Sequence, residues 1–290
     1  MTKILITGCN GQLGNEIRDI ADKTPFSFTY TDVAELDITD INAIDSLFAA
    51  TPFDYVVNCA AYTNVNKAES EEDIAYKINA VAPENLAKVC AKYNSKFIHV
   101  STDYVFDGNA CQPYRESDSV CPQSAYGRTK LAGENLALKA CQNTIILRTA
   151  WLYSEYGNNF VKTMMRLGTE KDELSVVFDQ VGTPTYAGDL AQTILSIIKK
   201  IENGDKETVP GIYHFSNEGV CSWYDFTKEI HSLANITCNV RPIESKDFPS
   251  PAKRPFYSVL NKQKIKETYS IDVPYWKDSL ALCIKNLQKQ

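Results

Sequence analysis

A short apolar run from Lys3 to Thr7 ends at Gly8-Cys-Asn-Gly11-Gln-Leu-Gly14, and apolar residues at helical spacing follow at once from Gln12 to Ala21. A strand that turns into a helix through three glycines is the feature that most limits what this chain can fold into. Glycine permits the sharp turn and lets a backbone approach closely, and it opens a helix whose N-terminal N–H groups favour negative charge. The unit then repeats. Phe28 to Thr31 reads as a strand, a helix begins at Asp40 with Ile41, Ile44, Leu47 and Phe48 on one face, and Tyr55 to Asn58 is the next strand. A helical region through Ala68 to Tyr93 precedes the strand Phe97 to Ser101, and Ala125 to Lys139 precedes Thr144 to Arg148. Strands alternating with helices of this length predict right-handed crossovers and a doubly wound, parallel α/β sheet.

Past residue 150 the alternation loosens. Phe160 to Gly168 and Ala187 to Ile201 have helical spacing, and Ser222 with Asp225 three residues on forms a candidate capping box for a helix through Leu233. The proline-rich stretch from Arg241 to Phe256 reads as an extended connector. The expected organisation is a dinucleotide-binding half over residues 1–150 and a smaller, partly interleaved substrate half over 151–290, with about 186–203 returning to the first half.

The glycines fall as G-x-x-G-x-x-G, so Gly8, Gly11 and Gly14, with Asn10, Gln12 and Leu13 between them, are candidates to cradle a pyrophosphate. Asp32 ends the second strand, where a carboxylate can accept from an adenosine ribose. It would repel a 2′-phosphate, which favours NADH over NADPH. Asp37 and Ile38 follow closely, and the third strand runs out through small residues to Ala60, Ala61, Tyr62 and Thr63. Further on, Ser101-Thr102-Asp103 closes the fourth strand, and Tyr126 and Lys130 stand four apart on one helix face. In that order they suit carbonyl reduction: a phenol that donates a proton, an ammonium that holds the phenol's pKa down and binds a ribose, and a strand-end hydroxyl on the same carbonyl.

Composition narrows the partners. A net charge of -6 with no Lys/Arg-rich block argues against nucleic acid or an anionic membrane surface. The N-terminus lacks a secretory apolar core and no run approaches bilayer length, so a cytoplasmic protein is expected. The nine cysteines include no C-x-x-C pair and read as reduced, mostly buried residues. His99, His214 and His231 lie far apart in apolar or amphipathic stretches, which gives no His/Cys metal site.

Nearly end to end, the sequence resembles the extended short-chain dehydrogenase/reductase superfamily and, within it, the dTDP-4-dehydrorhamnose reductase family. The resemblance is carried by Gly8 to Gly14, Asn58 to Glu69, Ser101 to Gly108, Tyr126 to Glu134, Arg148 to Tyr153, Asn158 to Phe160, Asp179 to Thr185 and Arg254-Pro255. It implies NAD(P)H-dependent reduction of the C4 ketone of a dTDP-sugar, with NADPH the cofactor commonly described for the family. It also implies catalytic roles for Thr102, Tyr126 and Lys130, cofactor contacts along the residues named above, and substrate contacts at Thr102, Asp103, Trp151 and Arg254. Members have been associated with Mg²⁺, and Glu16 and Asp189 match such acidic positions, although both also suit ordinary charges at helix starts. A homodimer is compatible with the chain but is not read from it. Two other readings stand beside this one. One is a nucleotide-sugar epimerase or dehydratase that recycles its cofactor, although Tyr104 follows Thr102-Asp103 where dehydratases carry Glu. The other is a non-catalytic subunit like the regulatory β subunit of methionine adenosyltransferase.

Overall fold

The computed structural model describes residues 1–289. In the first half, strands and helices follow one another as β1 (Lys3–Thr7), α1 (Gln12–Ala21), β2 (Ser27–Thr31), α2 (Ile41–Ala50), β3 (Tyr55–Asn58), α3 (Val65–Ala68), α4 (Glu72–Tyr76), a π-turn (Lys77–Val81), α5 (Ala82–Lys92), β4 (Lys96–Thr102), α6 (Ala125–Ala140) and β5 (Thr144–Thr149). The second half continues with β6 (Leu152–Tyr153), α7 (Phe160–Glu170), β7 (Glu173–Val177), β8 (Val181–Gly182), β9 (Thr185–Tyr186), α8 (Ala187–Glu202), β10 (Gly211–His214), β11 (Cys221–Ser222), α9 (Trp223–Ala234), β12 (Asn239–Ile243), α10 (Gln263–Tyr269) and α11 (Trp276–Leu287).

Six strands form one sheet in the order β2-β1-β3-β4-β5-β10, every neighbouring pair parallel. The chain leaves β1 for β2 on one side and returns to β3 on the other. This reversal opens a crevice at the carboxyl ends of β1 and β3, where doubly wound sheets bind ligands. Residues alternate between two apolar layers. Ile4, Ile6, Val57, Ile98 and Leu147 pack with α1 and α8 on one face, while Leu5, Val56 and Phe97 pack with α2 and α5 on the other. Ile41, expected on the buried face of α2, is exposed, and Ile44 and Phe48 carry that contact. The sixth strand, β10, has no counterpart in the sequence reading. It is four residues long and follows a polar loop, so little pattern marks it.

Beyond the sheet, α7, α9 and α11 enclose a separate apolar cluster that includes Tyr153, Val161, Phe226, Ile230, Trp276 and Leu280. The capping box of α9 forms as expected between Ser222 and Asp225. The extended connector needs one correction, because its start is β12, which pairs in parallel with β7 and sets Arg241 opposite Ser175. Pro242 is tolerated because the ladder has only two strands and leaves one edge of β12 unpaired.

Helix α6 is held close to its neighbours. Gly133 leaves no room for a Cβ against the carbonyl of Asn79, which lies in the π-turn. At the next residue of α6, Arg148 of β5 donates from Nε and Nη2 to Glu134 Oε1 and Oε2 at 2.9 and 2.7 Å, and both side chains are almost wholly buried. The guanidinium also lies 5.1 Å from the Phe106 ring. Among the described residues, no helix is long and apolar enough to cross a membrane. Removing one partner of a buried ion pair leaves the other charge uncompensated. Glu134→Ala is therefore expected to lower stability by about 3–5 kcal/mol, measured as the shift in urea unfolding.

Candidate active site

At the end of β1, Gly8 has φ +66°, and a Cβ there would lie 2.6 Å from the Ala60 backbone nitrogen. This position must be glycine for β1 and β3 to close at the switch point. Gly11 precedes α1 without a side-chain cap, so the first N–H groups of the helix are left for another acceptor. Asn10 is exposed beside this turn, and Gln12 Oε1 accepts from Asn159 Nδ2 at 3.0 Å, which ties the turn to α7. Leu13 is buried in the core, so only its backbone is available to a ligand, and Gly14 packs onto the Cys9 backbone.

Asp32 is oriented by the backbone, accepting from Asn10 N and Val33 N at 3.0 and 2.8 Å. Asp37 accepts from the hydroxyl and N–H of Thr39, which holds its carboxyl below the usual range. Ile38 packs into the second apolar layer. Past Ala60 and Ala61, both backbone polar groups of Tyr62 are bonded by the Asn79 side chain at 2.8 and 3.1 Å, and Thr63 is exposed. The π-turn thus carries the residue that shapes the strand exit, which no sequence pattern had marked. This crevice, with its bare helix start and a glycine no side chain could replace, fits a dinucleotide.

The second group gathers at the end of β4. Thr102 Oγ1 donates to Asp103 Oδ1 at 2.9 Å and accepts from Tyr104 N. Ser124 caps α6, and Glu69 Oε1 accepts from Ala125 N, so the start of α6 is fixed from two directions. The Tyr126 ring meets Tyr104 edge to face at 5.5 Å. Desolvation pushes its phenol well above the ordinary value, and hydrogen bonding with Thr102 works in the opposite direction. Lys130 is 1% exposed, donates to the Val100 carbonyl at 2.7 Å and lies 3.5 Å from His99 Nε2. Burial pulls its amine down to about 8. The expectation that Lys130 holds the Tyr126 phenol down is corrected here: the groups acting on the phenol are Thr102, Asp103 and Tyr104. The i, i+4 spacing sets both residues on one face, but a buried amine needs an acceptor, and Val100 provides it.

Trp151 has φ +48°, a left-handed conformation rare for a bulky residue, and stacks on Trp223 with ring centroids 3.4 Å apart. Its indole edge and the Ser258 hydroxyl both close on Gly182, and Ser258 also favours the ionised form of the Asp103 carboxyl. Arg254 donates to Tyr104 Oη and to Asn66 Oδ1, each at 3.0 Å. Thr102, Tyr126 and Arg254 therefore meet at Tyr104, with Asp103 bonded to Thr102, while Trp151 and Ser258 stand together at Gly182. Trp223 and Ser258 carried no sequence signal, whereas Tyr104 entered the sequence reading only as the residue standing where dehydratases carry Glu.

Glu16 and Asp189 do not fit Mg²⁺. Burial, helped by the neighbouring Glu155, pushes the Glu16 carboxyl up to about 9, so without a cation it holds a proton. Asp189 Oδ2 is already taken by Asn217 Nδ2 and Ser279 Oγ. Among the described residues no three His, Cys, Asp or Glu side chains group as metal ligands.

Burial raises the Asp103 carboxyl to about 7 from an ordinary 3.8. The folded state then holds this proton more tightly than the unfolded chain, so stability falls as pH rises through that interval and levels above it. Asp103→Asn is expected to be more stable than the parent at pH 8 and to lose that advantage by pH 4, as read from urea midpoints at each pH.

Residues 1–289 match the model of the RmlD substrate binding domain. The chain is 42% identical over 289 residues to the dTDP-4-dehydrorhamnose reductase of Aggregatibacter actinomycetemcomitans, covering 97% of each protein. The crystal structure of a dTDP-4-dehydrorhamnose reductase from Clostridium acetobutylicum superposes with TM-score 0.93 at 48% identity, covering 99% of this chain and 100% of that one. The Bacillus anthracis enzyme of the same name, solved in complex with NADP, gives TM-score 0.93 at 38% identity with the same coverage. With a glycine cradle at the switch point and a Thr-Tyr-Lys group beside it, the chain belongs to the dTDP-4-dehydrorhamnose reductase family of extended short-chain dehydrogenase/reductases.

Proposed function

We propose that this chain is an NAD(P)H-dependent oxidoreductase that reduces the C4 ketone of dTDP-4-dehydro-L-rhamnose to give dTDP-L-rhamnose. The observation that carries this reading is the convergence of Thr102, Tyr126 and Lys130 beside the switch-point crevice, in a chain so similar to proteins of that name. Residues 1–150 hold the cofactor and 151–290 the sugar nucleotide, with α8 returning to pack beside α1. Reduced nicotinamide, when bound, supplies the hydride.

The chain's own residues manage the proton and the geometry. A phenol raised by burial keeps its proton at neutral pH, which suits Tyr126 to donate to an oxygen that gains negative charge. Thr102 hydrogen-bonds the same oxygen and stabilises charge where it develops. Lys130 serves the nicotinamide ribose. Asp103, Trp151 and Arg254 hold the substrate, Arg254 through charge-assisted bonds to phosphate and Trp151 through its ring face. Gly8, Asn10, Gly11, Gln12, Leu13 and Gly14 receive the pyrophosphate, and Asp32 takes the adenosine ribose, with Asp37, Ile38 and Ala60 to Thr63 lining the rest.

Stoichiometric loss of reduced nicotinamide on dTDP-4-dehydro-L-rhamnose tests the reading directly, because an epimerase or dehydratase recycles its cofactor and a regulatory subunit consumes none. Tyr126→Phe is expected to bind cofactor normally and to lose turnover by roughly 10²- to 10⁴-fold. Unchanged turnover in that variant removes Tyr126 from the mechanism. Asp32 also makes a prediction about cofactor choice. Its carboxylate disfavours a 2′-phosphate, so Asp32→Ala is expected to raise the ratio of kcat/KM with NADPH to that with NADH. A ratio that stays the same places the discrimination elsewhere.

A further inference from the structure

Behind Lys130 lies a chain of buried polar groups whose direction can be read from one end. The Ala60 backbone N–H can only donate, and it donates to Asn58 Oδ1 at 3.1 Å, where the Thr7 hydroxyl also arrives at 2.8 Å. These bonds orient the Asn58 amide, so that its Nδ2 faces His99 Nδ1 at 3.1 Å. An amide nitrogen donates and does not accept, so Nδ1 is the acceptor, and in a neutral imidazole the proton then sits on Nε2. His99 is fully buried, and burial holds its imidazole well below the ordinary value. The Nε2–H therefore faces Lys130 Nζ at 3.5 Å, while Nζ donates to the Val100 carbonyl. An N–H dipole aimed at an ammonium opposes its charge, whereas aimed at a neutral amine it meets a lone pair.

We propose that His99 is a positioning residue for Lys130: held by Asn58 with its proton on Nε2, it presents a donor to Nζ and so sets the pH at which Lys130 changes charge. The effect on turnover rests on the reductase reading above, but the effect on Lys130 does not. Of the charged groups around Lys130, Glu134 in α6 favours the ammonium and is itself paired with Arg148 of β5. From the segment after β4, Asp103 bears on Tyr126. On the helices packed against α6, Glu69 accepts from Ala125 N–H and Glu72 pairs with Arg128. His99 is thus the group that opposes the ammonium from β4.

The test needs no substrate. In ¹⁵N-labelled protein the imidazole shifts of His99 report its tautomer, and a proton found on Nδ1 overturns the proposal. With ¹³Cε-lysine the signal lost in Lys130→Arg identifies Lys130, whose midpoint is expected near 8 in the parent. His99→Phe keeps a ring over Phe97 and removes the dipole, so the midpoint should rise by about one pH unit or more. In Asn58→Asp the carboxylate still accepts from Ala60 but now also from His99 Nδ1–H, which turns Nε2 into an acceptor and should raise the midpoint as well. If His99→Phe does not fold, the parent tautomer decides, because the new carboxylate in Asn58→Asp would also raise the midpoint by its charge alone. A midpoint unmoved in the folded variants overturns the proposal, and a purely structural His99 would lower the unfolding temperature alone. In active protein the alkaline limb of kcat/KM should move upward with the midpoint. A shifted midpoint in a protein that reduces no keto sugar keeps this inference and rejects the reductase reading.

Discussion

Helix α6 carries both Tyr126 and Lys130, and its place against the sheet depends on charges from which water is excluded. Glu134, one turn beyond Lys130, receives two hydrogen bonds from Arg148 of β5, while Gly133 on the same helix seats against the Asn79 carbonyl. Neither partner has an alternative in this setting. Moving α6 outward would strand a guanidinium and a carboxylate in a dry interior, where each unpaired charge is expensive. The register of α6 against β4 and β5 is therefore tightly held, and with it the approach of Tyr126 to Thr102.

The other half of the site depends on how closely two backbones can meet. Gly8 and Ala60 touch where β1 and β3 diverge, and the same strand exit orders Asn58, whose amide takes its direction from Ala60. One close contact thus shapes the crevice and also settles a proton position two side chains away. Strain is held just after β5, where Trp151 keeps a left-handed backbone and is stabilised by its stack on Trp223. Such conformations persist when surrounding packing over-determines them, and they gather at ligand sites.

Desolvation gives the site its chemical character. It raises the Tyr126 phenol and the Asp103 carboxyl and lowers the Lys130 amine, so each group is moved toward its uncharged form. A site poised in this way contains little fixed charge until an oxygen begins to develop it. That balance suits donation of a proton to a nascent alkoxide better than abstraction of one from an alcohol.

Much of this was legible from local pattern. Alternating strands and helices, the glycines between β1 and α1, Asp32 at a strand end and the Tyr126/Lys130 spacing depend on periods of two and 3.6 residues and on glycine's freedom at tight turns, and these act within a few residues of chain. Family resemblance extended that reading to Thr102, Asp103, Trp151 and Arg254. Local pattern was thus enough for five of the six strands, the crevice and the face of α6 that carries the chemistry. Packing in three dimensions was needed to turn Lys130 to Val100 rather than to the phenol, to leave Glu16 and Asp189 outside any three-ligand metal cluster among the described residues, to complete the sheet with β10 and to point a proton of His99 at Lys130. Those outcomes depend on burial and on hydrogen bonds between residues remote in sequence, and neither quantity exists until the chain has closed on itself.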